Sequence, residues 1–215
     1  MVDTIVNAEE ALRRLEEGNS RYAARAHGNE AAEPPPREEL PQEQNPFAVI
    51  LGCSDARVPA EYIFDQGPGD LFVIRVAGNI VAPSQLGSVE FAAGQFGTRL
   101  VVVLGHTRCG AVQATLQALR QPKTDISPNL RAIVSFIGPA VEPLLSPAGA
   151  AAAGPDDEEL VNRAVRANVA ASVARVRGES AILRELISSS GLRVVGAEYS
   201  LRTGRVTFLD HVADG

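Results

Sequence analysis

The 215-residue chain is 45% hydrophobic and 21% charged, the balance of one folded domain over residues 1–215 rather than of a disordered or fibrous chain. Its net charge of −6 at pH 7, with no basic cluster, argues against nucleic acid as a partner, and no apolar run approaches the roughly 20 residues a membrane-spanning helix needs. Two cysteines make no disulfide framework, and the acidic, amphipathic N-terminus is unlike a signal peptide, so the sequence reads as cytoplasmic with both thiols reduced.

In chain order, Ala8, Ala11, Leu12, Leu15 and Tyr22 recur at helical spacing and predict an amphipathic helix over 7–25. The stretch "HGNEAAEPPPREELPQEQNP" that follows, with five prolines, reads as an extended surface connection. Helix and arm together, residues 1–45, are expected to pack on a partner subunit. "FAVILGC" (47–53) is an uninterrupted apolar run, as a fully buried parallel strand requires. "DLFVIRVAG" (70–78) and "TRLVVVLGH" (98–106) are further strands, separated by a helix that carries Leu86, Val89, Phe91 and Phe96 and stops at Gly97. Helices are predicted over 111–120, 128–145, 156–177 and 180–191, with a flexible "SPAGAAAAGPDD" between the second and third of these. "LRVVGAEYS" and "GRVTFLD", joined at "LRTG", form a terminal hairpin. The alternation predicts an α/β fold: a mostly parallel sheet of about four strands with an antiparallel C-terminal edge strand, flanked by helices.

In open α/β sheets, ligands bind beyond the carboxyl ends of the strands, and two of the three core strands end there in metal-type side chains. In "CSDARVPAE", Cys53, Asp55 and Arg57 occupy alternate positions, which in extended backbone face the same way. "HTRCG" offers His106 and Cys109. If the strands are neighbours, two thiolates and an imidazole converge, a donor set suited to tetrahedral zinc. Asp55 lies within reach as a fourth ligand. A bidentate Arg57 would hold that carboxylate off the metal and leave the position to water. Bland readings stay open on the residues alone: the cysteines as small core fillers, Arg57 in an ordinary surface ion pair, or a closed structural zinc site. The last more often shows four Cys or His at short paired spacing.

"CSDARVPAE", "FVIRVAGN", "SVEFA" and "VVVLGHTRCGAV", in this order and spacing, resemble the β-class carbonic anhydrases, and the similarity runs from about residue 7 through the hairpin. The resemblance implies one zinc ion per subunit on Cys53, His106 and Cys109, with Asp55 and Arg57 as a catalytic gate pair. It implies reversible hydration of carbon dioxide to bicarbonate by metal-activated hydroxide, in a homodimer or dimer of dimers. The branch of the family that resembles plant enzymes, with an open site, carries a Gln that reaches across the dimer interface and a Phe and a Tyr in the substrate pocket. Gln44 and Phe72 match the first two, and Phe91 stands where that branch has Tyr. The other branch uses a Trp where this chain has Ile50, and the chain has no Trp at all; Arg75 matches an Arg found in both. Substrate contacts are therefore expected at Gln44, Phe72, Val76 and Phe91. His27 and His211 are candidate proton acceptors, with solvent or buffer preferred. The competing functions are hydrolysis of CS2 or COS on the same scaffold, and a catalytically silent zinc-binding assembly domain.

Overall fold

The computed structural model describes residues 5–25, 42–121, 126–145 and 158–209. Five strands form one sheet in the order β2–β1–β3–β4–β5: β1 (Ala48–Gly52), β2 (Leu71–Arg75), β3 (Leu100–His106), β4 (Arg193–Tyr199) and β5 (Val206–Phe208). The first four run parallel and β5 pairs antiparallel with β4, the architecture expected from the sequence. The unbroken apolar runs become β1 and β3, buried along their whole length, because a central parallel strand is covered on both faces.

Side chains alternate between faces along each strand, and the core divides accordingly. Ile50, Val102 and Leu104 face a layer of α1 (Ala8–Ala24) and α2 (Ala60–Ile63), where they meet Ala11, Leu15 and Ile63. Val49, Leu51, Val101 and Val103 face the opposite layer of α3 (Pro83–Gln95), α6 (Glu158–Gly178) and α7 (Ala181–Ser189). Each such aliphatic contributes about 1.5–3 kcal/mol when fully buried. A third apolar cluster lies beyond the carboxyl ends of the strands, between α4 (Gly110–Arg120), α5 (Pro128–Val141) and α6, and it contains Cys53 and Cys109. Helix α6 comes close to the sheet because two strand positions opposite it lack side chains. A Cβ on Gly105 would lie 2.5 Å from a Val169 methyl, and one on Gly196 2.8 Å from another.

Several expectations change in detail. The helix over 7–25 forms, capped by the Asn7 side chain on the Glu10 amide, and its apolar face packs on its own chain. Asn19 fastens it there, donating to the Ile63 and Gly204 carbonyls and accepting from the Val206 amide. The arm over 26–41 lies outside the described residues, as does the 146–157 loop. The strand predicted over 70–78 stops at Arg75, because Gly78 and Asn79 take left-handed φ values of 71° and 43° that no strand accommodates. The helix over 128–145 gives way after Val141 to a 3-10 turn, Glu142–Leu145. Pro143 has no amide hydrogen for the Pro139 carbonyl. The short α2 was not anticipated. No helix among the described residues is long and apolar enough to cross a membrane.

Candidate metal centre

The site forms where β1 and β3, adjacent and parallel, deliver their carboxyl ends side by side. Cys53 follows β1 directly and His106 closes β3. Arg108 turns the chain back with φ at 57°, so that Cys109 becomes the residue preceding α4, where the helix dipole favours a thiolate. The two sulfurs and an imidazole nitrogen lie within 4.8 Å of one another. All three side chains are buried, with Cys53 5% exposed, Cys109 1% and His106 0%.

The protonation of this group follows from its neighbours. His106 Nδ1 lies 3.0 Å from the Thr107 carbonyl oxygen; a carbonyl only accepts, so Nδ1 carries the hydrogen, and in the neutral ring Nε2 keeps its lone pair. That Nε2 is buried and has no hydrogen-bond partner in the structure, an arrangement that costs free energy unless something fills it. The sulfurs behave as a pair. A hydrogen bond from Cys109, aided by the Gly78 amide, pulls the Cys53 pKa down to about 4 against the cost of burial. The hydrogen bond to Cys53, followed by burial, pushes Cys109 far up. That hydrogen bond leaves a proton between two buried sulfurs, beside the unshared Nε2 lone pair. A soft divalent cation would displace that proton and satisfy all three donors, so the residues fit zinc.

Asp55 stands beside this group without joining it: its Oδ2 is 3.9 Å from His106 Nε2. The carboxylate is gripped instead by Arg57, whose Nε donates to Oδ1 at 2.9 Å and Nη2 to Oδ2 at 2.7 Å, with the Arg57 backbone amide on Oδ1 at 3.0 Å. These hydrogen bonds, led by the guanidinium, hold the Asp55 carboxyl well below the usual carboxylate range despite partial burial. Arg75 braces the same loop from β2, donating to the Cys53 carbonyl at 3.0 Å and the Asp55 carbonyl at 2.6 Å.

Taken together, this geometry unites a buried two-sulfur, one-nitrogen cluster with a clamped carboxylate at its rim. The sequence model of the carbonic anhydrase family matches residues 48–206, a span that contains the whole cluster. The chain belongs to the carbonic anhydrase family. Relatives over nearly the full length include carbonic anhydrase 2 of Mycobacterium tuberculosis, 38% identical with 97% of this chain and 96% of that protein covered. The carbonic anhydrase of Mycolicibacterium smegmatis is 36% identical over the same shares. Among solved structures, a β-carbonic anhydrase from Sordaria macrospora, described as tetrameric, superposes with a TM-score of 0.70 at 27% identity, covering 93% of this chain and 96% of that one. The class is therefore β.

Within this β-class fold the other predicted site residues spread out. Val76 packs on the apolar cluster that holds both cysteines. Phe72 and Phe91 pack instead with Phe96 into an aromatic group, with ring centroids 5.5–6.2 Å apart, on the α3 side of edge strand β2. Phe91 is 54% exposed, and Gln44 is exposed in the segment leading to β1. Phe72 thus packs on a different apolar cluster from the one that holds the cysteines. His27 and His211 lie outside the described residues. Sequence reasoning missed the Thr107 carbonyl and the Gly78 amide, which donates to Cys53 Sγ at 3.3 Å. Backbone groups leave no trace in residue type.

Proposed function

We propose that this chain interconverts carbon dioxide and bicarbonate at one zinc ion per subunit, held by Cys53, His106 and Cys109. The observation that carries the reading is the buried, unpartnered His106 Nε2 facing two buried sulfurs beside a carboxylate that Arg57 restrains. Bound there, zinc would act as a Lewis acid that brings the pKa of a water toward about 7.

The side chains of the protein do the rest. Asp55 stays ionised and therefore accepts only; its Oδ2, near the open side of the cluster, takes a hydrogen bond from the attacking water or hydroxide and fixes the direction of its lone pair. Arg57 keeps that oxygen from closing the site, which supports an open resting state of the plant-type branch. Arg75 holds the carbonyls on either side of Ser54 and so sets where Asp55 stands. Val76 offers an apolar wall for carbon dioxide.

Gln44, Phe72 and Phe91 act in the pocket of a neighbouring copy. The reading is supported by the exposure of Gln44 and Phe91 and by the β2 edge, where Leu71, Phe72 and Val73 are only half-buried. The assembly is then a homodimer or dimer of dimers. Both cysteines serve as ligands only when reduced, which supports a cytoplasmic setting. The released proton passes to solvent or buffer.

Stopped-flow carbon dioxide hydration, with zinc quantified in the same sample, tests the reading. Turnover with about one zinc per chain is expected, and a zinc-loaded, folded chain without hydration activity would overturn it.

A further inference from the structure

The Gly78 amide that donates to the Cys53 sulfur sits in a short turn, Ala77–Asn79, held from two sides. Toward the sheet, the Val76 amide donates to the Gly52 carbonyl at 3.1 Å, and the Ser54 amide donates to the Val76 carbonyl at 3.3 Å. From the opposite side, helix α6 reaches in with two polar side chains. Asn168 Nδ2 donates to the Gly78 carbonyl at 2.8 Å, and Ser172 Oγ donates to the Asn79 carbonyl at 3.1 Å.

These two residues are out of character for their surroundings. They are 2% and 3% exposed, one helical turn apart on a face otherwise made of Val165, Val169 and Val173. A buried amide and hydroxyl are costly among aliphatic neighbours unless they are hydrogen-bonded, and apolar residues would pack this face without that cost. What they gain is a grip on two consecutive peptide planes. Both gripped planes follow Gly78; its own amide, in the plane before them, is aimed at Cys53 Sγ through the Gly78 φ of 71° that links the two. The turn cannot relax outward: a Cβ on Gly78 would lie 2.7 Å from Ile137 Cδ1 and 3.2 Å from Ala111 Cβ, so α4 and α5 close the remaining side.

We infer that Asn168 and Ser172 are positioning residues for the metal-binding sulfur, setting the strength and direction of the hydrogen bond that Gly78 gives Cys53; the inference rests on Cys53 being a zinc ligand. An amide hydrogen on a ligand sulfur withdraws electron density from it and fixes its approach to the metal. Groups of this kind are worth about 10–100-fold in metal affinity. Helix α6 thereby becomes part of the metal centre through Asn168 and Ser172.

The test replaces the metal with Co2+ in the full chain and compares wild type with Asn168→Ala and Ser172→Ala. Two quantities are read: the sulfur-to-cobalt charge-transfer band and the rate at which a chelator removes the metal. Loss of the hydrogen bond raises the energy of the sulfur electrons, so the band moves to longer wavelength in both variants. Metal release accelerates about 10–100-fold in Asn168→Ala and less in Ser172→Ala. A folded variant with wild-type band position and release rate would overturn the inference, and so would a lowered melting temperature with an unmoved band, because both residues would then merely pack. Should Asn168→Ala fail to fold, Ser172→Ala carries the same two readings. A wild-type cobalt protein without the charge-transfer band points to a different failure, that of the zinc assignment itself.

Discussion

Removing the Arg57 side chain isolates the clamp on Asp55. In Arg57→Ala the two guanidinium hydrogen bonds, at 2.9 and 2.7 Å, disappear, while the backbone amide at 3.0 Å remains. A hydrogen bond to a charged group contributes about 1.5–3 kcal/mol when shielded from solvent, and an exposed ion pair about 0.2–1 kcal/mol. Here the Arg57 side chain is 57% exposed and that of Asp55 16%. The pair therefore falls between those limits, at about 1–3 kcal/mol. At 1.4 kcal/mol per decade, that is roughly a 5- to 150-fold change in the ratio of clamped to free carboxylate.

Freed, Asp55 has little distance to travel, since its Oδ2 is already 3.9 Å from His106 Nε2. There it would compete with water for a zinc ion held by Cys53, His106 and Cys109. Arg57→Ala is expected to lower kcat/KM for carbon dioxide hydration by about 10–100-fold. Zinc content should stay near wild type, because Arg57 is exposed. The melting temperature should fall by no more than the few degrees that about 1–3 kcal/mol implies at about 2–4 °C per kcal/mol. Stopped-flow hydration and metal analysis of one preparation measure both. Wild-type turnover at full zinc occupancy would refute the clamp.

Cys109→Ser should take zinc from about one per chain to near zero after dialysis, and a variant that retains metal stoichiometrically would remove Cys109 from the ligand set. Asp55 has a depressed folded pKa, so the stability it contributes is present above its unfolded value of about 3.9 and is lost only as pH falls through the lower folded value. The melting-temperature difference between wild type and Asp55→Asn should therefore hold steady from about pH 8 to about pH 5 and shrink below about pH 4; a collapse near neutral pH would contradict the assignment. Gly105→Ala puts a methyl 2.5 Å from Val169 Cγ2 and 3.1 Å from Val165 Cγ1. Overpacking of about 1–3 kcal/mol, at about 2–4 °C per kcal/mol, lowers the melting temperature by several degrees, and an unchanged midpoint would mean that α6 stands further from the sheet.

Much of the architecture was legible because its causes are local and periodic. The buried strands announce themselves as "FAVILGC" and "TRLVVVLGH", since burial on both faces leaves no room for alternation. Helices α1, α4 and α7 were recognisable from apolar spacing within a residue or two of their ends. The strand over 70–78 was overextended because "FVIRVAG" has strand composition throughout. Only packing of the turn against α4, α5 and α6 forces its last residues into left-handed conformations. That α1 returns to its own sheet rests on Asn19 finding the Ile63 and Gly204 carbonyls, contacts with partners 44 and 185 residues away along the chain.

The chemistry divides in the same manner. Residue type and position at strand ends were enough to nominate Cys53, His106, Cys109, Asp55 and Arg57, because soft donors are scarce and a strand end is where an open sheet presents them. Whether the sulfurs meet the imidazole, which ring nitrogen keeps its lone pair, and which amide faces Cys53 depend on β1 and β3 being neighbours in register and on backbone groups that every residue carries alike. A sequence specifies which side chains exist and how local segments bury them. Convergence of groups distant along the chain is decided only when the layers close.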